Sequence, residues 1–202
     1  DLLKNSEQGE FLCIMSNTSC FAPREPDDVI AVGKLARKYR LFHIVNNAYG
    51  LQCSKTCEML RQACSLNLVD YIVQSTDKNF LVPVGGCVVI SPSRKQIEEL
   101  NLSYPGRASA NAVIDLFISL LSMGKSGLVE KLKTRKECWQ LLKAKMLGFC
   151  ERQGEKLIDN KRNKISIAVT LSRLGNQSKE FGAWLFNQGV MGARVVNSGP
   201  EK

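Results

Sequence analysis

VDYIVQSTDKNFLVPVGG, Val69–Gly86, joins an apolar run to a polar turn and a glycine pair. The run Val69–Val73 is short, β-branched and bounded by turn residues, so it reads as a buried strand. Lys78 follows just beyond that strand's carboxyl end. A strand end fixes the backbone, and Phe80, Leu81 and Val82 are expected to keep water away. The position therefore suits a lysine held in a crevice as an imine-forming amine. Such an amine attacks only when neutral, a state favoured by desolvation or by neighbouring positive charge. Phe80 and Arg107 are the residues expected to supply these. Taken alone, a lysine in a polar turn is most often a solvated one, and its meaning depends on what surrounds it.

Two further apolar runs, Phe11–Ser16 and Leu41–Asn46, read as strands. Between them Val29, Val32, Ala36 and Tyr39 recur at helical spacing from Pro26 to Arg40, with Asp27 and Asp28 at the positive end of the helix. After a turn at Tyr49-Gly50, a second helix is expected through Cys53–Cys64. Short apolar strands alternating with helices imply right-handed βαβ crossovers and a mostly parallel sheet. Ligands of such sheets bind beyond the carboxyl ends of the strands. The polar clusters Asn17-Thr18-Ser19-Cys20, Asn46-Asn47-Ala48-Tyr49-Gly50 and Gln74-Ser75-Thr76-Asp77-Lys78 all fall there. Singly, each reads as a turn. Together they place a hydroxyl, an amide, an aromatic ring and an amine around one opening.

Gly86–Ile90 is a further strand, and Ser93 caps a helix carrying Ile97, Leu100 and Leu102. Past Tyr104-Pro105-Gly106-Arg107, Ala108–Met123 reads as an apolar helix that Gly124-Lys125-Ser126-Gly127 breaks. A long amphipathic basic helix over Leu128–Arg152 follows, with Leu132, Leu142, Met146 and Phe149 as candidate core. The remainder is expected to hold a strand at Ile165–Thr170, a helix near Lys179–Asn187 and a strand at Ala193–Val196. A domain junction is placed near Gly124, dividing the chain into 1–123 and 124–202. Gly124-Lys125-Ser126 resembles the end of a phosphate loop. Ser119 stands where that loop needs glycine, however, and a helix precedes it, so the segment reads as a helix-breaking turn.

The 202 residues, 44% hydrophobic and 23% charged, have ordinary globular composition, enough to bury about 70% of the unfolded chain's surface. A net charge of +9 raises the odds of a polyanionic partner, whether RNA, DNA or a membrane surface. Net +7 of it lies within Lys125–Lys164, twelve basic residues against five acidic, a pattern that a solvated helix face also produces. The eight cysteines show no regular pairing and follow no signal peptide, which points to thiols in a reducing, cytoplasmic setting. Cys53, Cys57 and Cys64 share a helical face, but there is no C-x-x-C and the single histidine, His43, lies in an apolar run. No metal site is expected. Nor is any apolar stretch expected to reach the ~18 residues of a membrane span.

The segments NTSCFAPR (Asn17–Arg24), HIVNNAYG (His43–Gly50), QSTDKNFLVPVGG (Gln74–Gly86), YPGRASA (Tyr104–Ala110) and GARVV (Gly192–Val196) closely resemble the O-phosphoseryl-tRNA(Sec) selenium transferases, the selenocysteine synthases of eukaryotes and archaea. The resemblance runs through nearly the whole chain. It implies a pyridoxal phosphate-dependent fold-type I architecture, like that of aspartate aminotransferase: part of the α/β large domain, then the start of an α+β C-terminal domain. Lys78 is then the lysine that forms the Schiff base with pyridoxal 5'-phosphate. Asn46 matches the cofactor-facing asparagine that replaces the usual acid, and Ala48 lies beneath the ring. Arg107 matches the arginine that holds the substrate's phosphate, a task suited to a guanidinium fork. Gln74 and Ser75 are further pocket candidates.

The resemblance also implies the reaction. O-phosphoseryl-tRNA(Sec) becomes selenocysteinyl-tRNA(Sec) through β-elimination of phosphate and addition of selenium from selenophosphate, in a cytoplasmic, tRNA-binding homotetramer. Asn46 in place of an acid implies a weaker electron sink, which favours elimination over transamination. The family is longer than this chain, and neither its N-terminal part, with the cofactor phosphate loop, nor the rest of its C-terminal domain has a counterpart here. The chain thus reads as a piece of a longer protein, from which a complete active site is not expected. Two other readings stay open. One is another fold-type I enzyme, a lyase or desulfurase on a small amino acid, although neither Cys20 nor Cys53 sits in a recognisable cysteine loop. The other is a non-catalytic RNA-binding or scaffold fragment, on the strength of Lys125–Lys164.

Overall fold

Strands β1 (Cys13–Asn17), β2 (Phe42–Asn46) and β3 (Tyr71–Ser75) run parallel, and β4 (Cys87–Ile90) joins antiparallel to β3, in the order β1-β2-β3-β4. The structure, a computed structural model, describes residues 3, 10–18, 24–104, 106–158 and 161–196. A strand returns parallel to its neighbour only through a crossover, and helices α1 (Val29–Lys38) and α2 (Ser54–Ser65) supply the two crossovers. β4 reverses direction because only the single-turn helix α3 (Thr76–Phe80) and the Gly85-Gly86 turn separate it from β3. The register sets Asn17 beside Asn46 and Asn46 beside Val73. The polar residues that end the parallel strands are thereby gathered at one edge.

The core of this sheet is Val29, Val45, Leu60, Ala63, Val69 and Ile72, with Ile30, Met59 and Cys64 against it. Each fully buried valine, leucine or isoleucine stabilises by about 1.5–3 kcal/mol. Asp28 caps α1 by accepting from the Ala31 N–H at 3.0 Å, satisfying one of the helix's orphan donors. Asp27 turns away from that role. It accepts from the Asn17 N–H at 2.7 Å and from Arg24 at 3.0 Å.

His43, which the hydrophobic pattern puts inside, is fully buried. Its Nδ1 lies 2.7 Å from the Leu68 carbonyl and its Nε2 lies 2.8 Å from the Ser16 hydroxyl. A carbonyl only accepts, so Nδ1 carries the proton and Nε2 accepts from Ser16. Burial holds the imidazole's pKa below its ordinary value, against the opposing pull of the Leu68 carbonyl and Asp70. Asp70 binds the same region together. Its carboxylate takes both arms of Arg37 at 2.9 and 3.1 Å, the His43 N–H at 2.7 Å and the Gln96 amide at 3.0 Å. Burial alone would raise this carboxyl, and those donors together hold it low. Gln96 lies in α4 (Arg94–Ser103), capped as expected by Ser93.

Helix α5 spans Asn111–Gln153 as two helical lengths joined at a kink, where Gly124 takes φ 61°, a conformation that glycine adopts without side-chain strain. The expected break is thus one residue wide. Two compact units divide further along, the first comprising Asp1–Trp139 and Asn160–Ser166, the second Gln140–Asp159 and Ile167–Lys202. The apolar residues before the kink are surface rather than core, Phe117 being 64% exposed. An 18-residue stretch of α5 has a mean hydropathy of 1.6 and none of it is buried. This corrects the expectation that no stretch reaches span length: by length and composition alone, one helix among the described residues does, and the polar Lys125-Ser126 interruption hides it from inspection. Leu142 is likewise exposed, while Leu132, Met146 and Phe149 are half-buried and Cys150 is buried.

In the second unit, β5 (Leu157–Ile158) pairs antiparallel with β6 (Ala168–Val169), and α6 (Ser178–Asn187) follows. The strand expected over Ile165–Thr170 therefore shrinks to Ala168–Val169, and Ala193–Val196 forms no strand, since no described backbone pairs with it. Glu155 braces the hairpin by accepting from the Thr170 hydroxyl and, at 2.9 Å, from the Arg173 N–H. The Thr170 hydroxyl, with backbone donors of Arg173 and Ser172, pushes its carboxyl down to about 2. A depressed carboxyl stabilises the fold above its unfolded value and loses that contribution as pH falls through the folded one. Lowering the pH from 5 to 2 is therefore expected to speed hydrogen exchange at the Thr170 and Arg173 amides, beyond the intrinsic pH dependence. In Glu155→Gln this excess should vanish.

Candidate active site

The three parallel strand ends are tied to one another by the residues that follow them. After β1, the Thr18 N–H donates to the Asn46 carbonyl at 3.1 Å and its hydroxyl donates to Asn47 Oδ1 at 2.6 Å. After β2, the Asn47 N–H donates to the Val73 carbonyl at 2.8 Å, and its amide reaches Gln74 Oε1 at 3.4 Å. Gly50 makes this possible, because a Cβ there would sit 1.8 Å from Asn47 Oδ1. Asn46 curls over its own turn, its Oδ1 accepting from the Ala48 N–H at 3.2 Å, a side-chain turn typical of asparagine.

Lys78 lies in α3, immediately beyond β3, with its side chain 32% exposed. Its Nζ stands 3.1 Å from Ser75 Oγ and 3.3 Å from Asp77 Oδ2, and 5.4 Å from the centre of the Tyr49 ring. The Ser75 hydroxyl in turn donates to Asp77. That hydroxyl first, and then the Lys78 ammonium, hold the Asp77 carboxyl below the ordinary carboxylate range. The amine is thus shared between a hydroxyl and a carboxylate at the rim of an aromatic face.

A helix of five residues leaves nearly all its carbonyls without internal partners, and side chains from elsewhere reach two of those of α3, at Lys78 and Phe80. Asn79 Nδ2 donates to the Ser75 carbonyl at 2.6 Å and to the Ala48 carbonyl at 2.8 Å, stapling the lysine turn to the turn after β2. Two carbonyls on one side of the amide fix which end is nitrogen, and Asn79 Oδ1 is left buried without a partner. Gln52 Nε2 donates to the Lys78 carbonyl at 2.5 Å, and Ser119 Oγ donates to the Phe80 carbonyl at 2.5 Å. Thr76 ties the other end to the Gly86 carbonyl through its N–H at 3.1 Å and its hydroxyl at 2.8 Å.

Of the residues singled out from sequence, the structure brings Asn46, Ala48, Gln74, Ser75 and Lys78 to one edge of the sheet. Arg107 is not among them. It sits on an exposed segment where only its carbonyl is engaged, by the Tyr104 hydroxyl at 3.5 Å, and no described residue partners its guanidinium. The expected shielding also differs, since Leu81 is 71% exposed in a left-handed turn with φ 57°. The aromatic face beside the amine is that of Tyr49. Ser19, Cys20 and Pro105 lie outside the described residues. Asn79 and Gln52 escaped the sequence reading. Asn79 adjoins Lys78 in the same motif, which is a signal, whereas nothing local marks Gln52.

A model of the O-phosphoseryl-tRNA(Sec) selenium transferase family matches residues 1–202. An O-phosphoseryl-tRNA(Sec) selenium transferase of Dictyostelium discoideum is 46% identical over 173 residues, covering 85% of this chain and 36% of its own length. One from Methanococcus maripaludis is 37% identical over 193 residues, covering 96% and 43%. Among solved structures, an archaeal O-phosphoseryl-tRNA(Sec) selenium transferase superposes with a TM-score of 0.79 at 35% identity, covering 87% of this chain and 39% of that one. Catharanthus roseus tryptophan decarboxylase, crystallised with L-tryptophan, superposes with a TM-score of 0.65 at 14% identity, over 87% of this chain and 40% of that one, and shows the fold alone. The architecture is the α/β fold of fold-type I pyridoxal phosphate enzymes, in part. The chain spans about two fifths of the length of the curated relatives it matches.

Proposed function

Since this chain belongs to the O-phosphoseryl-tRNA(Sec) selenium transferase family, we propose that it carries the lysine-bearing part of a pyridoxal 5'-phosphate site that converts O-phosphoseryl-tRNA(Sec) to selenocysteinyl-tRNA(Sec). The observation that carries the reading is the Lys78 amine, half-buried just beyond β3 between Ser75, Asp77 and the Tyr49 ring. The residues present fit the cofactor. With Asn46 Oδ1 engaged by the Ala48 N–H, Nδ2 is the end left to face a ring. An N–H donor matches an unprotonated pyridine nitrogen, where an acid would match a protonated one.

Pyridoxal phosphate, when bound, supplies an aldehyde for an amine to condense with and a ring that accepts electrons from the substrate's α-carbon. Lys78 would then have two tasks: to hold the cofactor and to move the proton at the substrate's α-carbon. Asn46 restrains the ring's electron demand, which favours prompt departure of the β-phosphate over transamination. Ala48 would offer the ring a small, apolar contact, and Gln74 and Ser75 would line the pocket. The Arg107 fork takes the phosphate of the phosphoseryl group, coming to it from an exposed segment. Selenophosphate is the second substrate, tRNA(Sec) the carrier, and the working form a cytoplasmic homotetramer. We place the boundary between the family's large and C-terminal domains at the Gly124 kink.

The test is turnover of O-phosphoseryl-tRNA(Sec) with selenophosphate by the full-length protein, in the presence of tRNA(Sec) or bulk tRNA as competitor. Inhibition by tRNA(Sec) alone is expected. Turnover of free phosphoserine that ignores both competitors would mean a small-molecule lyase instead. Arg107→Ala is expected to raise KM for the phosphoseryl substrate about tenfold or more, since hydrogen bonds to charged groups contribute about 1.5–3 kcal/mol. Its unfolding temperature should stay unchanged, because the guanidinium has no partner among the described residues.

A further inference from the structure

A chain of contacts outside the residues already assigned ends on the backbone of Lys78. Gln52 closes the 3-10 turn Gly50–Gln52 that follows the Asn46–Tyr49 segment. Its side chain donates to the Lys78 carbonyl at 2.5 Å. Its own carbonyl accepts from Arg135 Nη1 at 3.1 Å, and the other arm of that guanidinium donates to the Lys164 carbonyl at 2.5 Å.

Arg135 is an unusual group for this task. It projects from the basic part of α5, yet it is half-buried, and burial lowers its pKa. Among the described residues it makes no ion pair, and its fork is used on two backbone carbonyls. A desolvated guanidinium without a carboxylate is costly to keep. Its planar fork is also pre-organised in a way that a flexible ammonium is not. The carbonyl it holds belongs to the residue whose side chain grips the lysine turn.

We propose that Gln52 and Arg135 are positioning residues for Lys78, with Arg135 fixing the turn from which Gln52 holds the lysine's backbone. The proposal rests on the reading of Lys78 as the cofactor lysine. Loss of Gln52 frees one carbonyl of α3, so the amine samples orientations away from the Tyr49 face. Loss of Arg135 has the same result through Gln52, and the two losses share one path.

The test uses the full-length protein mixed with pyridoxal phosphate and borohydride. Label at Lys78 is quantified against label at Lys95, whose side chain is 83% exposed. Gln52→Ala and Arg135→Met are each expected to lower the initial labelling ratio about fivefold, the scale of one hydrogen bond. The double variant should fall no further than Gln52→Ala alone, because residues acting through one another are non-additive. Arg135→Lys, which keeps the charge and loses the fork, should behave as Arg135→Met. Gln52→Glu, equal in shape but no longer a donor, replaces Gln52→Ala if the latter fails to fold. An unaltered ratio in a folded Gln52 variant, or losses that multiply in the double variant, would overturn the proposal alone. Absence of any preference for Lys78 in the unaltered protein would sink the cofactor reading and this proposal with it.

Discussion

Lys78→Ala in the full-length protein is expected to lower selenocysteinyl-tRNA formation by about a thousandfold or more, because in the proposed function one amine serves both as the group that condenses with the cofactor aldehyde and as the proton carrier at the α-carbon. Folding should be nearly unaffected. The amine's partners are Ser75 and Asp77 at a rim that is one-third exposed, and ion pairs of that kind contribute about 0–1 kcal/mol. The variant should therefore keep its unfolding temperature and its affinity for tRNA(Sec) while losing turnover and covalently fixed cofactor. Lys78→Arg should not restore activity, since a guanidinium stays protonated. Full turnover in Lys78→Ala would refute the assignment outright.

The second large effect is structural. Asp70→Ala is expected to destabilise the first unit by about 3 kcal/mol, the cost of stranding buried donors and one half of a largely buried ion pair. Both Nη groups of Arg37, the His43 N–H and the Gln96 amide lose this acceptor at once. Urea denaturation followed by circular dichroism measures the loss. Asp70→Asn keeps an acceptor of the same shape and should lose less. Equal stability of Asp70→Ala and the unaltered protein would mean that water replaces the carboxylate, and that the network around His43 does not brace β2 against the loop before β3.

Local chemistry explains why most of the sheet was legible. Runs such as Leu41–Asn46 and Val69–Val73 carry the apolar, β-branched character of buried strands, and Asp28 and Ser93 are cap residues with visible donors three positions on. Each of these signals lies within one or two turns of chain. The misreadings have the opposite character. α3 has no helical period to detect in five residues, and isolated helices that short do not persist in water. Ala193–Val196 has strand-forming residues, but a strand exists only where another backbone pairs with it.

By itself, the order of residues determined a parallel sheet and a lysine just past the end of its third strand, because hydrophobic period, turn residues and caps act over a few positions. Only the tertiary structure decided what holds that lysine. Gln52 reaches it from 26 residues away and Arg135 reaches Gln52 from 83, and hydrogen bonds across such separations exist only once the fold has brought their donors and acceptors together.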